Sequence, residues 1–270
     1  MVGLIGGCGG GDDDVAISQV SYTSLSPTAP LEVPAELRLP PGSNLPAVVV
    51  VHGSSGIDSR GKFHIEELNK AGIATLEIDM WKPRGVTGGA NRPRGVPETL
   101  PDAYGALAYL ARQGSIDPSR IGIMGFSWGG VVSMLTATKP YTDLYMAGTR
   151  QFKAHAPLYP VCWVYNAVPG YAFASFTGAP VFIQGGELDT YDLPDTCPNL
   201  VAATEGRAPG IASVTMYPGA THAFDRNEPE ITVTDPFSHL GHGGDVTFTW
   251  NAVAAGKARE AVVAYFKRTL

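Results

Sequence analysis

The sequence lacks an excess of basic residues: 19 Lys and Arg stand against 25 Asp and Glu, which gives a net charge of −6. This balance argues against nucleic acid and against an anionic membrane surface as partners. The sequence also lacks any apolar run that approaches the length of a membrane span, so we expect the folded body to lie in water. The expected partners are therefore small molecules.

Cysteine is scarce, with only Cys8, Cys162 and Cys197. Two glycines before Cys8, and a glycine and aspartate run after it, resemble the cleavage box of a bacterial lipoprotein signal without its charged and long apolar part. The alternative is that residues 1–16 are only a flexible tail. An isolated cysteine pair in an exported protein is usually a disulfide, so we predict a Cys162–Cys197 bridge and export, to the periplasm or on a lipid anchor at Cys8. In a cytoplasmic protein both thiols would be free and buried.

A Gly-x-Ser-x-Gly motif, Gly125-Phe126-Ser127-Trp128-Gly129, lies between an apolar strand and an apolar segment at 131–135 that suits the start of a buried helix. Strand, sharp turn and helix form the context of a nucleophile elbow. The strained turn demands small residues two positions to either side of the serine, and glycine stands at both. Ser127 is therefore the predicted nucleophile, at a helix N-terminus that favours a developing negative charge.

Strand patterns alternate with helical patterns along most of the chain. Two short strands at 17–26 and 31–39 precede apolar strands at 46–52, 73–79, 120–126, 153–159, 180–184 and 212–217, the last of the series. An antiparallel start followed by this alternation predicts an α/β fold with a mostly parallel, doubly wound sheet and helices on both faces. With no repeat, linker or composition shift, residues 17–270 are expected to form one domain.

The serine needs a base, and the base needs a carboxylate; in this architecture both follow the serine, in the order acid then histidine. Asp189 lies in a loop after the 180–184 strand and is the predicted acid, with Asp192 and Glu187 as alternatives. His222 directly follows the 212–217 strand and is the predicted base. Loops at the carboxyl ends of parallel strands meet at one edge of the sheet, so these side chains are expected to converge there.

The other histidines have structural interpretations. His52 ends a buried strand beside the expected oxyanion loop, His64 is placed on the polar side of a helix, and His155 is expected to be a core residue. His239 and His242 have a spacing that suits a metal, but only Asp235 or Asp245 could complete the set. We therefore predict no metal and no other cofactor.

The oxyanion of an acyl-transfer intermediate needs two amide donors. We predict the amide of Trp128, which follows the nucleophile, and one from the small-residue loop after the 46–52 strand, with Ser54 favoured over Gly53. Trp81 and Tyr191 are predicted substrate contacts. The first opens a long loop at 81–101 that is rich in Gly, Pro and Arg, and a loop of that length is usually functional or mobile.

Four motifs in this order resemble the dienelactone hydrolase family, from about Leu31 to the C-terminus. They are His52-Gly53-Ser54-Ser55-Gly56, Asp117-Pro118-Ser119-Arg120-Ile121-Gly122 leading into Gly125-Phe126-Ser127-Trp128-Gly129-Gly130, Gly186-Glu187-Leu188-Asp189, and His222-Ala223-Phe224. The resemblance implies the α/β-hydrolase fold and hydrolysis of an ester or lactone. No cap insertion is evident.

The chain departs from the best-known members of that family at two positions. They carry a cysteine nucleophile where this chain has Ser127, and a glutamate where it has Gly53, which leaves an ordinary serine mechanism. The resemblance also implies that Arg226 binds a substrate carboxylate, although an ion pair with Asp225 or Glu228 is equally compatible. A second anionic contact from the long loop would come from one of three arginines: Arg84, Arg92 or Arg94.

These inferences predict a serine hydrolase that cleaves a small carboxylic ester or lactone through an acyl-enzyme. A thioesterase or peptidase would use the same sheet and the same three side chains. A catalytically inactive relative that serves as a binding module is the alternative from another class.

Overall fold

The computed structural model describes residues 15–270, so the predicted anchor at Cys8 lies outside the described residues. Eight strands form one sheet. In chain order they are β1 (Ala16–Thr23), β2 (Glu32–Leu39), β3 (Leu45–Val51), β4 (Ala74–Ile78), β5 (Ile116–Phe126), β6 (His155–Leu158), β7 (Val181–Gly186) and β8 (Ala212–Tyr217). They lie in the order β1-β2-β4-β3-β5-β6-β7-β8. β1 and β2 pair antiparallel, β2 and β4 pair antiparallel, and all later pairs are parallel, which confirms the predicted mostly parallel sheet.

The central strand β3 ends in a run of β-branched residues because both of its faces are covered. From Ala47 to Val51, β3 is fully buried. It pairs in parallel with β5, so that Val51 lies opposite Gly125 at the carboxyl end of the sheet. A continuous apolar run is typical of a strand that helices cover on both sides.

Seven helices accompany the sheet in the described part of the chain. They are α1 (Ser59–Lys70), α2 (Leu100–Leu110), α3 (Trp128–Thr136), α4 (Lys139–Met146), α5 (Thr196–Glu205), the single turn α6 (Ser238–Gly241) and α7 (Ala252–Thr269). None of them combines the length and the apolar character needed to cross a bilayer. The sequence analysis did not predict α4 and α5.

Two glycines of β5 show that helices cover both faces of the sheet. A Cβ at Gly122 would press against the ring of Phe266 in α7, whereas a Cβ at Gly125 would overlap the backbone of Gly129 in α3. Residues three positions apart in a strand point to opposite faces. α3 and α7 therefore lie on opposite sides of β5, as expected for a doubly wound sheet.

The prediction that 212–217 is the last strand was wrong. An antiparallel hairpin of β9 (Ile231–Asp235) and β10 (Gly244–Phe248) follows β8 and precedes α7. Its strands have only five residues each and are joined by residues 236–243, so the short-turn signal of a typical hairpin is missing. The backbone amide of His239 donates to the carbonyl of Thr190 at 2.8 Å, which holds the hairpin's connection against the loop that follows β7.

The structure contains the predicted disulfide between Cys162 and Cys197, with Cα atoms 5.2 Å apart. It joins a short 3₁₀ helix after β6, Cys162–Val164, to the first turn of α5. A bridge across 35 residues stabilises a fold by about 3 to 4 kcal/mol in the chain-entropy account. It therefore fixes the segment after β6 to the helix that ends the loop carrying Asp189.

Candidate active site

Ser127 lies in the strained turn that the glycine spacing predicts. Its backbone angles are φ 52° and ψ −108°, and α3 begins at the next residue. A Cβ at Gly125 would overlap the carbonyl of Gly129, and one at Gly129 would overlap the carbonyl of Val51. Glycine is required at both positions because strand, turn and helix approach one another without room for a side chain.

The structure brings Ser127, His222 and Asp189 together. The Nε2 atom of His222 lies 2.8 Å from the Oγ atom of Ser127, and its Nδ1 atom lies 2.7 Å from Oδ2 of Asp189. The second carboxylate oxygen of Asp189 accepts the backbone N–H of Tyr191 at 2.9 Å, which fixes the plane of the carboxylate. In a neutral imidazole, donation from Nδ1 to the carboxylate leaves Nε2 free to accept the serine proton.

Three aromatic rings surround the imidazole of His222. The ring centroids of Tyr191, Tyr159 and Phe248 lie 4.3, 4.8 and 5.5 Å from that of His222. His222 is 1% exposed, so its ring is almost completely shielded from water. Exclusion of water strengthens the hydrogen bonds along the Ser127–His222–Asp189 chain.

Two backbone amides next to Ser127 are available to a substrate oxygen. Within the described chain, the amides of Trp128 and Ser54 donate to no protein acceptor, and both residues line the cavity that contains Ser127. Gly53, the alternative prediction, does not line it. Its carbonyl instead accepts a hydrogen bond from the amide of Gly56 at 3.0 Å, which closes the loop into a tight turn.

Trp81, predicted as a substrate contact, does not line that cavity. Its indole N–H donates to the carbonyl of Ser54 at 3.1 Å, and its ring packs edge-on against Trp128 with centroids 5.5 Å apart. This bond fixes the orientation of the peptide group that follows Ser54, so Trp81 supports the loop after β3 and does not contact the cavity itself. Tyr191, the other predicted contact, does line the cavity.

His52 supports the same loop. Its Nε2 atom accepts the backbone N–H of Met80 at 3.0 Å, so Nδ1 carries the proton and donates to the carbonyl of Gly53 at 2.8 Å. Burial lowers the pKa of His52 to about 4, which keeps the ring neutral and keeps this tautomer at neutral pH.

The cavity around Ser127 is small, with a volume of about 50 Å³. Its walls are largely apolar and come from the long loop before α2, from α3, from the segments after β6 and β7 and from the hairpin connection. The apolar residues among them are Val96, Trp128, Val131, Val161, Val164, Tyr171, Tyr191 and Phe237. This volume leaves room for only a small group beside Ser127.

The predicted arginines occupy different environments. Arg226 is ion-paired with Glu228, donates to the carbonyl of Pro229 at 2.9 Å and does not line the cavity. Arg84 pairs with the buried Asp102, with Nη1 2.6 Å from Oδ2. These two arginines therefore stabilise loops around the site.

Arg92 and Arg94 both line the cavity. Arg92 pairs with Asp235, whereas Arg94 is exposed and has no hydrogen-bond or ion-pair partner in residues 15–270. Arg94 is therefore the arginine free to meet an anionic group there.

The alternative acids do not reach His222. Glu187 is exposed, and Asp192 accepts the backbone amides of Cys162 at 2.6 Å and Trp163 at 2.8 Å. Burial, with a further contribution from the charge of Asp189, raises the pKa of Asp192 to about 7. Asp192 therefore organises the segment after β6.

His239 and His242 form no metal-type cluster with Asp235 or Asp245 in the described residues. The one such group there comprises Asp192 and the two bridged cysteines. The ring of His239 contacts the carbonyl oxygen of Asp245, with Nε2 3.1 Å away.

The model of the dienelactone hydrolase family matches residues 33–270, nearly all of the described chain. The chain belongs to the dienelactone hydrolase family. This membership makes it a hydrolase, and it agrees with the motifs that surround Ser127, Asp189 and His222 in the sequence.

Three proteins similar to this family member have names that describe hydrolases. The "Probable 2-oxo-3-(5-oxofuran-2-ylidene)propanoate lactonase" of Bradyrhizobium sp is 27% identical over 190 residues, which cover 67% of this chain and 73% of the relative. A dienelactone hydrolase-like promiscuous phosphotriesterase from metagenomic libraries is 19% identical, with a TM-score of 0.66 and coverage of 95% and 99% of the two chains. Esterase 2 of Thermogutta terrifontis, phosphoramylated by tabun, is 16% identical, with a TM-score of 0.65 and coverage of 95% of each chain. The two structural likenesses show the fold.

The sequence analysis missed the part of the site that the hairpin contributes to this dienelactone hydrolase family member. Asp235 and Phe237 line the cavity, and Phe248 packs against His222. The sequence suggested for Asp235 only the role of a possible metal ligand. No local pattern marks these residues, because their partners lie far away along the chain.

His64, predicted on the polar side of a helix, is fully buried. Its Nε2 atom lies 2.8 Å from Oδ2 of Asp225, whose Oδ1 accepts the hydroxyl proton of Tyr159 at 2.5 Å. Burial of Asp225 opposes its ionisation, but hydrogen bonds from His64 and Tyr159 and the charge of Arg60 outweigh it, and its pKa is lowered. His64 therefore lies on the inner face of α1, which packs over this buried ionic group, and not on the polar side of the helix.

His155 is buried as predicted.

Replacement of Asp225 by Ala is expected to lower the free energy of unfolding by about 3 to 5 kcal/mol, because it leaves the Tyr159 hydroxyl and His64 without their buried partner. Asp143→Ala, at an exposed position of α4, is the control and should change it by less than about 0.5 kcal/mol. Urea unfolding at pH 7 measures both. Since folding lowers the pKa of Asp225, its contribution is complete at neutral pH and is lost as acid protonates the carboxylate. Equal stability of the two variants would contradict the assigned network.

Proposed function

We propose that the protein is a serine hydrolase that cleaves a small carboxylic ester or lactone. The observation that supports this proposal is the continuous hydrogen-bond chain from the Ser127 hydroxyl through His222 to Asp189, with Ser127 lining a largely apolar cavity. Its small-molecule partner is an ester whose carbonyl oxygen reaches the amides of Trp128 and Ser54.

The proposed reaction has two halves. Ser127 Oγ attacks the carbonyl carbon while its proton moves to His222 Nε2, and the oxyanion accepts hydrogen bonds from the amides of Trp128 and Ser54. The tetrahedral intermediate collapses, His222 gives the proton to the leaving alcohol, and an acyl-enzyme remains. Water then attacks the acyl-enzyme and passes its proton to His222, which returns it to Ser127 as the acid departs. Asp189 stabilises the imidazolium at Nδ1 in both halves.

A fluorophosphonate probe together with p-nitrophenyl acetate tests the proposal. Wild type is expected to be labelled at Ser127 and to release p-nitrophenol, because an organophosphorus reagent reacts with an activated serine. The Thermogutta terrifontis esterase that was phosphoramylated by tabun has the same fold. An unlabelled wild type without esterase activity would favour an inactive binding module, and labelling without turnover of oxygen esters would favour a thioesterase or peptidase.

We propose further that the substrate can carry a negative charge, as the name of the Bradyrhizobium lactonase implies for that relative. Arg94→Ala is expected to lower kcat/KM for mono-(4-nitrophenyl) succinate by about threefold to tenfold relative to p-nitrophenyl acetate, because an exposed guanidinium contributes a modest charge-assisted hydrogen bond. Arg226→Ala is the matched comparison and should leave the ratio unchanged, since Arg226 is ion-paired with Glu228. A change in the Arg226 variant alone would reassign carboxylate recognition to Arg226.

We propose export to an oxidising compartment, such as the periplasm, on the basis of the Cys162–Cys197 disulfide. Persistence of both free thiols in protein isolated under non-reducing conditions would argue for the cytoplasm instead.

A further inference from the structure

Arg92 and Asp235 form a bidentate ion pair in the wall of the cavity that contains Ser127. The Nη1 and Nη2 atoms of Arg92 lie 2.7 and 2.9 Å from Oδ2 and Oδ1 of Asp235. Arg92 belongs to the long loop between β4 and α2, and Asp235 ends β9. The pair therefore joins two segments of chain that have no backbone pairing with each other.

Other contacts hold this pair in place. The guanidinium of Arg92 lies over the rings of Trp128 and Phe237, 5.6 and 5.8 Å from their centroids. Asp235 also accepts the backbone amide of Phe237 at 2.8 Å. The side chains of Arg92 and Asp235 are only 12% and 7% exposed, so solvent and salt screen their attraction little. The pair is a fixed part of the wall of the site.

The pair stands between two compartments. The inner pocket is the cavity that contains Ser127, described above. The outer groove lies between the long loop and the hairpin, has a volume of about 490 Å³, and is lined on its own part by residues that include Ser55, Pro93, Val233 and Phe248. The residues that line both compartments are Ser54, Arg92, Arg94, Asp235 and Phe237.

The bond to Ser127 assigns the two compartments. In the proposed reaction, which this inference presupposes, the acyl group stays bonded to Ser127 after the alcohol departs. Ser127 lines the inner pocket and not the outer groove, and the apolar wall of the inner pocket includes Val96, Val131 and Val164. The inner pocket is therefore assigned to the acyl chain, and the outer groove is left for the alcohol.

We propose that the Arg92–Asp235 ion pair is the end wall of the acyl pocket and sets the longest acyl chain that the enzyme accepts. A methylene chain that reached this wall would have to displace a buried, charge-assisted hydrogen-bonded pair or desolvate it. Esters of short-chain acids are therefore the expected substrate class, and the alcohol part is expected to vary widely.

Wild type itself provides the first test. Its kcat/KM is expected to fall at least about tenfold from p-nitrophenyl butanoate to the decanoate, since one methylene too many for a hydrophobic pocket already costs about that factor. For acetate esters of alcohols of increasing length, kcat/KM is expected to vary less than about threefold. An acyl-chain profile without a decrease, or a decrease with alcohol length instead, would overturn the assignment.

The double variant Arg92→Ala/Asp235→Ala removes the wall without leaving an unpaired buried charge. Its ratio of kcat/KM for decanoate to butanoate is expected to rise at least about tenfold over that of wild type. Arg92→Lys keeps a cation opposite Asp235 and should retain the wild-type preference for short chains. Arg120→Ala is the control. It removes an ion pair with Asp117 near the amino end of β5, far along the strand from Ser127, and should leave the ratio of kcat/KM for decanoate to butanoate unchanged.

A binding measurement separates this inference from the proposed function. In a Ser127→Ala background, which performs no chemistry, calorimetry compares 2-pentanone with 2-nonanone as ester mimics. Adding Arg92→Ala/Asp235→Ala is expected to improve the affinity for 2-nonanone relative to 2-pentanone by about tenfold. If the relative affinity for the two ketones changes as expected but wild type hydrolyses no ester, only the hydrolase proposal is refuted. If wild type hydrolyses esters but the double variant changes neither the relative ketone affinity nor the ratio of kcat/KM for decanoate to butanoate, the role of the ion pair is refuted.

Discussion

Ser127→Ala is expected to reduce kcat for p-nitrophenyl acetate by about 10⁶-fold, which leaves only the activity that binding and the two amides provide. The effect is large because the hydroxyl forms the covalent bond and His222 has no other proton to accept. KM should change little, since alanine removes only the Oγ atom and leaves the walls of the cavity and the two amides in place. Burst-free kinetics and loss of fluorophosphonate labelling are expected in the same variant.

Ser119→Ala is the matched control for the serine nucleophile. Ser119 lies in the same strand, β5, but near its amino end, where its exposed hydroxyl donates to Asp117 at 2.7 Å. Its removal should leave both kcat and labelling at wild-type levels. Residual labelling of Ser127→Ala at the wild-type rate would mean that another residue is the nucleophile, and the proposed mechanism would fall with it.

The core of the proposed site was predictable because its parts follow a rule of topology. Ser127, Asp189 and His222 each come directly after a strand that the hydrophobic pattern reveals, and parallel strands bring their carboxyl ends to one edge. The two glycines around Ser127 gave a local steric signal as well. Residues tied to buried parallel strands are therefore visible in the sequence even when the chain separates them widely.

The residues that shape the substrate space were harder to predict. The hairpin of β9 and β10 exposes alternate residues and has a long connection, so its sequence resembles that of a loop. Arg92 and Asp235 are separated by 143 positions and have ordinary surface composition, and only the folded chain shows that they are paired and mostly buried. The contacts of Trp81 and His64 were also not predictable from the sequence. They depend on the direction in which each side chain points in the folded chain, towards the Ser54 carbonyl and towards Asp225.

Asp189→Asn is expected to lower kcat by about 10⁴-fold with little change in KM or stability. The asparagine keeps the size of the side chain, and its oxygen can still accept the Tyr191 amide that Asp189 accepts at 2.9 Å. Its amide group then faces Nδ1 of His222 and favours the tautomer whose proton is on Nε2, so the ring can no longer take the serine proton. The imidazolium formed during the reaction also loses its countercharge. Steady-state kinetics with p-nitrophenyl acetate, together with a thermal melt, measure these effects.

The neighbouring carboxylates make this prediction specific. Glu187→Gln changes an exposed side chain two positions away and should leave kcat unchanged. Asp192→Asn disturbs the two amides of Cys162 and Trp163, so it should cost stability but less than about tenfold in kcat. If Asp192→Asn were the variant with the 10⁴-fold loss, the acid would have been assigned to the wrong carboxylate. A normal rate in all three variants would show that His222 acts without a carboxylate partner, since no other acidic group in the described residues contacts its Nδ1 atom.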